Sequence, residues 1–398
     1  MDTKPNLRSF TSTQKRREFL EKELDINLDK IGQINFEESE VVGRNIENLV
    51  GATQIPLGVA GPLLIHLEGA KAHLRGVFRN YYIPLATTEG ALVASVSRGC
   101  KAVTQSGGAT VYVENVGVTR GPVFKTRGIT EGAEVKNWIE NNFKQIAKVT
   151  EKTSSHLKLC KIDCAIVGKN LFARFYFDTT DAMGMNMATF ATEAATKLIE
   201  QKTKAVCVTL AGNFDIDKKS AWLNFINGRG KKIWAECILP RKVVTDILKT
   251  TPEKLVEVVE RKCHLGSIMS GSLGFNAHFA NIIAAIFAST GQDLAHVVEG
   301  SLGVTTAEIL GGGDLCSRRE EGSLHFSIYL PALMCGTVGG GTHLPTQQEA
   351  LKIMQVSDVL EYATVVGAAV LSGELSLIAS LAEGSLAKAH KKLGRKQK

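Results

Sequence analysis

No uncharged run in the chain of 398 residues is apolar enough to predict a membrane span. Its longest stretch without a charged side chain, 265–292, contains glycines, serines, Asn276, His278 and Asn281. A transmembrane helix needs about 20 predominantly apolar residues. The first 30 residues alternate acidic and basic groups and lack the apolar core of a signal peptide. We therefore expect a cytoplasmic protein without a membrane anchor.

Paired cysteines are also absent. The eight cysteines form no Cys-x-x-Cys pair, and no histidines cluster at the spacing of metal ligands. Cys160 and Cys164 lie four residues apart in an apolar stretch, where small buried side chains are common. The pattern predicts reduced thiols, as in the cytosol, and no metal site.

Aromatic residues make up only 6% of the chain, and none lies in its basic C-terminal tail. The formal net charge is +7, and most of it comes from the tail after Glu383, with Lys388, Lys391, Lys392, Arg395, Lys396 and Lys398. Nucleic-acid binding usually needs a basic face with base-stacking aromatics, so we expect no nucleic-acid partner. A small phosphate-bearing ligand could use the same charge locally.

With 44% hydrophobic and 22% charged residues, the composition is that of a globular protein large enough for two or three domains. A charged amphipathic helix is predicted over 10–30, with Thr11 or Ser12 as its cap. Glycines and prolines interrupt 47–62 before a strand at 63–67. A helix is predicted over 91–103 from its apolar spacing, which puts Glu89 at a helix start.

Strand and helix patterns alternate between 122 and 208. Strands are predicted at 157–167, 172–178 and 205–210, and helices at 132–149 and 183–204. This rhythm indicates a small α+β domain inserted into a larger one. Further along, 275–289 reads as a buried helix, and the last third is largely helical. No Gly-x-Gly-x-x-Gly follows a strand, so a nucleotide would not be held by the usual doubly wound fingerprint.

Two segments are candidates for chemistry. In Asp181-Ala-Met-Gly-Met-Asn-Met187, Gly184 lets backbone approach a ligand, the methionines offer soft apolar surface, and Asp181 and Asn186 can fix polar groups. Simple core packing of methionines is the more common explanation of such a segment. In Gly212-Asn-Phe-Asp-Ile-Asp-Lys-Lys219, the lysines are either reactive groups or a solvated charge run.

Four segments together resemble the hydroxymethylglutaryl-CoA reductase family. They are Ala86-Thr-Thr-Glu-Gly90, Asp181-Ala-Met-Gly-Met-Asn-Met187, Gly291-Gln-Asp293 and Gly336-Thr-Val-Gly-Gly-Gly-Thr342. Their order and spacing match as well, and the resemblance covers nearly everything from about residue 45 to 395. The methionines at 185 and 187 and the triple-glycine turn at 339–341 resemble class I, the eukaryotic and archaeal type.

The resemblance implies reduction of 3-hydroxy-3-methylglutaryl-CoA to mevalonate with two hydrides from NADPH. It implies a catalytic role for Lys218, whose fixed, buried ammonium stabilises the oxyanion formed by hydride addition. Glu89 matches the acid of the second reduction, and a carboxyl that donates near neutral pH should be partly desolvated or close to another negative group. Asp293 matches the carboxylate that links Lys218 to Glu89, and His390 matches the histidine that protonates the CoA thiolate. Without the resemblance, Glu89 could complement a helix N-terminus, Asp293 could start a turn and His390 could be an exposed bystander.

Contacts to substrate and cofactor follow from the same matching. The implied substrate contacts are Arg120, Lys219, Lys242 and Asn281. The implied cofactor contacts are Asp181, Met183, Gly184, Met185, Asn186, Met187, Gly339, Gly340 and Arg395, the last near the adenosine 2′-phosphate.

The implied fold is α+β: a large helix-centred substrate domain with an inserted ferredoxin-like cofactor-binding domain and a small helical N-terminal domain. We expect the N-terminal domain at 1–50 and the first part of the large domain at 51–121. The inserted domain is expected at 122–208, and 209–398 should hold the catalytic loop, the rest of the large domain and the helical tail. A homodimer or dimer of dimers should carry active sites between subunits.

Two alternatives remain at this point. An NADH-dependent degradative reductase would share the fold and run the reaction toward hydroxymethylglutaryl-CoA. A non-enzymatic CoA- or nucleic-acid-binding protein could also have kept the fold.

Overall fold

The N-terminal residues form a short helical arm on the body of the protein. A computed structural model describes residues 10–29, 32–67, 76–311 and 322–384. Helix α1 spans Thr13–Leu24, and Ser12 caps it by accepting a hydrogen bond from the Lys15 amide, as predicted. Arg16 and Arg17 reach the carbonyl oxygens of Leu49 and Val50 and tie the arm to the next segment.

The other regular elements follow in chain order. The helices are α2 Glu38–Val41, α3 Leu92–Gln105, α4 Ile129–Asn141, α5 Phe143–Glu151, α6 Met185–Lys202, α7 Trp222–Asn227, α8 Arg241–Val243, α9 Pro252–Val258, α10 Ser267–Ser270, α11 Phe279–Thr290, α12 Val297–Gly300, α13 Pro345–Met354 and α14 Val359–Glu383. The strands are β1 Leu57–Leu67, β2 Val77–Ala86, β3 Ala109–Arg120, β4 Val123–Lys125, β5 Lys158–Val167, β6 Asn170–Asp178, β7 Val206–Thr209, β8 Gly230–Leu239, β9 Gly274–Phe275, β10 Gly303–Ile309 and β11 Leu324–Leu333. Short 3₁₀ turns lie at Leu294–His296 and Gly340–His343, and π-helical turns at Val244–Leu248 and Val259–Gly266.

The large part of the sheet runs in the order β2, β1, β3, β8, β11, β10, β9. Strand β1 begins earlier than the predicted 63–67, because Leu57 to Ala60 already pair with β2. A register shift between Ala60 and Leu63 accommodates Gly61 and Pro62 within the pairing. Glycine and proline therefore mark an irregularity inside this strand rather than its boundary.

A smaller sheet forms between residues 123 and 209 with the order β7, β4, β6, β5, all pairs antiparallel. In chain order this is strand, helices, two strands, helix, strand, with the fourth and first strands adjacent, which is the ferredoxin-like arrangement. Helix α6 buries Ala188, Ala191, Ala195 and Ile199 on one face, a spacing of three and four residues. The predicted α+β fold with a ferredoxin-like unit is confirmed.

Strand β3 belongs to both sheets. Its residues 110–117 pair with β8, whereas 118–120 pair with β6. The continuous backbone of this strand therefore joins the large and small sheets near Arg120.

Helix α14 runs through the core of the large part and is buried along most of its 25 residues. It contacts α3, α11 and the strands β3 and β8. By length and composition it could cross a membrane, but 83% of its most apolar window is buried inside the protein, as for core helices of water-soluble folds. The sequence predicts a core helix at 275–289 instead; that segment is the end of strand β9 followed by α11, which packs beside α14.

Candidate active site

The turn before α7 carries Lys218 on an unusual backbone. Asn213, Ile216 and Lys218 all have positive φ angles, of 61°, 53° and 55°. Non-glycine residues adopt this region at some energetic cost, so the surroundings must hold them there. The Lys218 amide donates to Oε1 of the buried Glu299 at 3.2 Å, and the Asn224 amide group donates to the Ile216 carbonyl at 3.0 Å.

Lys218 and Asp293 form an ion pair across this turn, with Nζ 2.8 Å from Oδ2. Asp293 also accepts from the Ala295 amide at 3.0 Å, which fixes its carboxylate at the start of the 3₁₀ turn. The bond to Asp293 raises the pKa of Lys218, against a smaller lowering by burial. Burial raises the pKa of Asp293, but the bonds from Lys218 and Ala295 outweigh it and the net pKa lies below its usual value. Both groups are therefore held charged.

The Lys218 side chain is 40% exposed in this single chain. The ammonium is therefore not buried in one isolated subunit, and its burial in the assembled protein, which is what the sequence predicted, stays a prediction. The reason is geometric: the turn lies at the molecular surface, and Asp293 opposite it is also partly exposed, at 36%.

Glu89 lies at the rim of a cleft of about 600 Å³, a size typical of small-ligand sites. Its Oε2 accepts a hydrogen bond from the Asn281 amide group at 2.8 Å. Residues from the segment before α3 and from α11 line the cleft, together with Leu294, which follows Asp293 directly. Glu89 thus lines the cleft directly, and Asp293 is the chain neighbour of a lining residue.

Two expectations for Glu89 need correction. The carboxylate is exposed rather than desolvated, because two residues still separate it from the buried helix α3. Asp293 does not hydrogen-bond to Glu89: the Asn281 amide group bonds Glu89, whereas Asp293 bonds Lys218 and the Ala295 amide. Asn281 was predicted as a substrate contact; it lines this cleft and also a second, adjoining cleft, which Ser220 and His278 line as well.

A buried charged cluster lies beneath the Lys218 turn. Arg229, fully buried, donates to Glu299 Oε1 at 2.5 Å and to Asp217 Oδ1 at 3.0 Å. His296, also fully buried, has Nδ1 2.7 Å from Glu299 Oε1. These residues were not predicted from the sequence; the His296-x-x-Glu299 spacing and an arginine flanked by Gly228 and Gly230 were the available signals.

Within the part of the chain that the structure describes, Asp217, His296 and Glu299 have ligand atoms within 4.8 Å of one another. This spacing could hold a metal ion. The Arg229 guanidinium already binds one oxygen of each carboxylate. A divalent cation there would face this positive charge, so the donor set does not favour a metal.

The predicted substrate cations differ in their positions. Arg120 pairs with the buried Asp215 at 3.2 Å and donates to Thr189 at 2.9 Å, so its charge is balanced within the protein. Lys219, next to Lys218, reaches the Asp217 carbonyl at 3.0 Å and is exposed.

Within one chain the structure does not bring Lys242 to this site. This corrects the prediction that Lys242 contacts the substrate there. It follows the C-terminal end of β8, whereas Arg229 precedes the N-terminal end of the same strand. Ten extended residues span about 30 Å. Lys242 therefore lies at the opposite end of the sheet from the Lys218 turn within one chain.

The methionine turn is anchored to the core. The Asp181 carboxylate accepts from the Val359 amide at 3.0 Å, at the start of α14, and the Asp181 carbonyl accepts from the Thr337 amide at 2.8 Å. Gly336 lies so close to Met183 that a side chain there would collide with the backbone. Gly184 has φ of 84° and caps the N-terminal end of α6.

The three methionines of this turn, Met183, Met185 and Met187, are half-buried and pack against the core of the small sheet. The packing interpretation of this segment therefore holds in part, and the ligand contact of the methionines stays a prediction. Asn186, between them, is exposed.

The glycine turn lies beside the methionine turn, because Ala182 and Val338 form a bridge. Gly339 and Gly340 have positive φ angles of 81° and 58°, with open space where a side chain would stand. Asn45 donates to the Gly340 carbonyl at 3.1 Å. The structure thus brings two of the predicted cofactor segments together. The predicted residues His390 and Arg395 lie outside the described residues.

Comparison with known sequences gives a consistent match. A family model described as hydroxymethylglutaryl-coenzyme A reductase matches residues 12–395. The chain is 49% identical over 396 residues to the 3-hydroxy-3-methylglutaryl-coenzyme A reductase of Methanocaldococcus jannaschii, covering 97% of this chain and 94% of that protein. The corresponding protein of Methanothermobacter thermautotrophicus is 48% identical, with 96% and 92% covered. A Dictyostelium discoideum protein, 3-hydroxy-3-methylglutaryl-coenzyme A reductase 2, is 41% identical, with 93% and 70% covered.

Among solved structures, the chain resembles the class II 3-hydroxy-3-methylglutaryl-CoA reductase of Streptococcus pneumoniae, determined with NADPH in open conformations. The TM-score is 0.68 at 17% sequence identity, covering 95% of this chain and 100% of that one. At this identity the likeness describes the fold.

Proposed function

Because the chain belongs to the hydroxymethylglutaryl-CoA reductase family, we propose that it reduces 3-hydroxy-3-methylglutaryl-CoA to mevalonate and CoA with NADPH, as a step of the mevalonate pathway to isoprenoids. The reaction takes up two hydrides and two protons. The observation that carries the proposal is the Lys218–Asp293 ion pair of 2.8 Å beside the cleft that Glu89 lines.

Lys218 is proposed to stabilise the negative oxygen that forms when hydride adds to the thioester carbon. Its raised pKa keeps it an ammonium at neutral pH. The Asp293 carboxylate fixes its direction, and a positioned cation acts more strongly on the transition state than on the neutral carbonyl. The held backbone of the turn limits the freedom of the side chain further.

Glu89 is proposed as the proton donor to the alkoxide of the second reduction. The Asn281 amide group orients its carboxyl at 2.8 Å toward the cleft. A donor role near neutral pH needs a less aqueous surrounding than the isolated chain provides, and bound substrate or a second subunit would supply it.

His390 is proposed to protonate the departing CoA thiolate, so that the thiolate does not add back. For His390→Gln we expect loss of thioester reduction but near-normal reduction of free mevaldehyde, since no thiolate leaves in that reaction. Parallel assays with the two substrates measure this, and equal losses would contradict the role.

NADPH is the proposed cofactor and supplies hydride when bound. The half-buried Met183, Met185 and Met187 offer an apolar wall, and the open turn at Gly339 and Gly340 lets a ligand approach the backbone closely. Asn186 is exposed and available to polar groups of a ligand, and Arg395 is proposed at the adenosine 2′-phosphate. The residues present therefore fit a dinucleotide, and the sequence of this turn favours class I.

The decisive assay follows absorbance of the reduced nicotinamide after substrate addition, with NADPH and NADH compared at equal concentration. We expect faster oxidation of NADPH. A clear preference for NADH would favour the degradative reductase, and no absorbance change with either cofactor would favour a binding protein without activity.

We also propose a homodimer, or a dimer of dimers, in the cytoplasm. Tyr112 and Trp234 are 54% and 37% exposed on adjacent strands, and the Trp234 ring contacts that of Tyr329 at 5.5 Å. An apolar aromatic face of this kind is typical of a protein interface. Sedimentation should give twice or four times the chain mass of 42.9 kDa, and Trp234→Arg should lower the measured mass.

The cytoplasmic location is supported by the cysteines, because all seven that the structure describes are free thiols.

A further inference from the structure

The Lys218 turn, residues 213–219, packs against the small sheet. The ring of Phe214 in the turn contacts that of Phe172 in β6, with 5.9 Å between their centroids. Phe172 lies on the same face of β6 as Arg174, because alternate residues of a strand share a face. This face therefore carries the turn that holds the reactive lysine.

One asparagine joins the small sheet to the backbone of the turn. The Arg174 guanidinium on β6 donates to Asn224 Oδ1 at 2.8 Å and to the Gly228 carbonyl at 3.1 Å. The Asn224 amide group donates to the Ile216 carbonyl at 3.0 Å. Arg174 and Asn224 are both fully buried. Because a guanidinium only donates and a carbonyl only accepts, each end of the Asn224 side chain has a fixed role.

Ile216 is the residue of the turn that most needs a restraint. Its φ is 53°, which is a genuine outlier for a β-branched residue. Such a backbone persists only where the surrounding contacts hold it. Ile216 lies two residues before Lys218, so relaxation of its backbone would move the ammonium relative to Asp293.

We propose that Asn224 is a positioning residue that holds the Lys218 turn in this conformation by bridging Arg174 and the Ile216 carbonyl. The role rests on the function proposed above, because Asn224 acts on the reaction through Lys218. Asn224 itself has no exposed surface with which to reach a substrate. The methionine turn follows β6 along the chain, so one strand sets the positions of both the lysine and the proposed cofactor turn.

The substitution Asn224→Asp separates the two ends of this side chain. A carboxylate still accepts from Arg174, as an ion pair, but it cannot donate to the Ile216 carbonyl. We expect kcat to fall about 10- to 100-fold with both hydroxymethylglutaryl-CoA and mevaldehyde, because Lys218 serves both reductions and a small misplacement is costly. The KM for NADPH should not change, because the methionine turn is held separately by the Asp181 bond to α14.

A second substitution in the turn provides a readout that a purely structural role would not move. Glycine adopts a positive φ at no steric cost, so Ile216→Gly removes the need for the restraint. In the Ile216→Gly background, Asn224→Asp should therefore lower kcat by less than about threefold. Asn141→Asp is the control, because it makes the same chemical change at an exposed residue of α4 and should leave kcat unchanged.

Each result decides the inference. Wild-type kcat in the Asn224→Asp variant overturns it, and so does an equal loss in the two backgrounds. If that equal loss comes with a lowered urea midpoint, Asn224 only supports the fold.

Hydrogen exchange keeps the inference separate from the proposed function. If the wild type oxidises neither cofactor, the proposed function fails, but the amides of 213–219 still report on the bridge. Their exchange should be faster in the Asn224→Asp variant than in the wild type, and equal exchange would overturn the inference.

Discussion

Lys218 combines a reactive ammonium with a backbone conformation that most residues avoid, yet its contribution to stability should be small. Its ion pair with Asp293 is more than one-third exposed on both sides. Exposed pairs contribute less than about 1 kcal/mol to folding. Activity and stability are thus separable at this residue.

For Lys218→Met we expect kcat to fall by about 10²- to 10³-fold, the loss seen when one oxyanion donor is removed. The free energy of unfolding should change by less than about 1 kcal/mol. Lys249→Met is the matched control, because Lys249 is an exposed lysine with a similar φ of 60°. Near-normal turnover of the Lys218→Met variant would remove Lys218 from the mechanism; urea titration measures the stability.

The Lys218–Asp293 pair also makes a prediction about pH. The pKa of Asp293 is lowered, so its contribution to stability is present above the unfolded value of about 3.9 and is lost as the pH falls through the folded value. The pKa of Lys218 is raised, so its contribution is present below about 10.4 and is lost as the pH rises further. The stability difference between wild type and Asp293→Asn should therefore be constant near neutrality and vanish in acid; a difference that grows in acid would contradict this. Urea unfolding at several pH values measures it.

The sequence located Glu89, Asn281, Lys218 and Asp293 through family resemblance, and the structure brings each to one of two adjoining clefts or to the turn beside them. It could not give their partners, because hydrogen bonds join residues far apart in the chain. Asn281, not Asp293, orients Glu89. The buried cluster of Arg229, Glu299 and His296 could not be predicted for the same reason.

At the scale of elements, the crossing of α3 and α14 depends on a glycine, Gly99, at the point of contact. A Cβ at Gly99 would overlap the carbonyl of Ser372, which is backbone and cannot swing away. Glycine at this point lets the two buried helices approach closely.

Gly99→Ala should therefore lower the free energy of unfolding by at least about 2 kcal/mol, since overpacking forces the helices apart. Gly128→Ala is the control: it has φ of 174° and open space around the added atom, so its change should stay within about 0.5 kcal/mol. Thermal unfolding compares the two. Equal melting temperatures for wild type and the Gly99→Ala variant would show that the helices can separate at little cost.

Elements with a clear period were predictable, and those that depend on tertiary pairing were not. Helix α3 follows from Leu92, Val96, Cys100 and Val103, which the structure buries. The start of β1 was missed because Gly61 and Pro62 disfavour a strand locally, and only pairing with β2 overrides them. Helix α14 was not recognised as the central core helix because it is apolar on all sides. Without a polar face, the sequence shows no helical period of hydrophobic residues.

At the scale of the molecule, two cores share one strand. The large core surrounds α14, the small core lies under the ferredoxin-like sheet, and β3 pairs into both sheets. Arg229 and Glu299 add a buried ion pair near the junction. Separation of the cores would break this strand pairing and expose both charges.

We therefore expect both cores to unfold in one transition. Trp138 packs against the small core, whereas Trp222 and Trp234 belong to the large part. Fluorescence of a Trp222→Phe/Trp234→Phe protein should report the small core, and that of Trp138→Phe the large part. Coinciding urea midpoints support a single unit, and midpoints separated beyond the error of the fits would reveal independent domains.

The bond between the Asp181 carboxylate and the first turn of α14 has a consequence for ligand recognition. This hydrogen bond fixes the methionine turn to the central helix α14 before any dinucleotide binds. The turn loses its conformational entropy during folding rather than on ligand binding. A dinucleotide can therefore bind fast and with little rearrangement of the turn. Without this hydrogen bond, the same turn would have to be ordered each time a ligand binds.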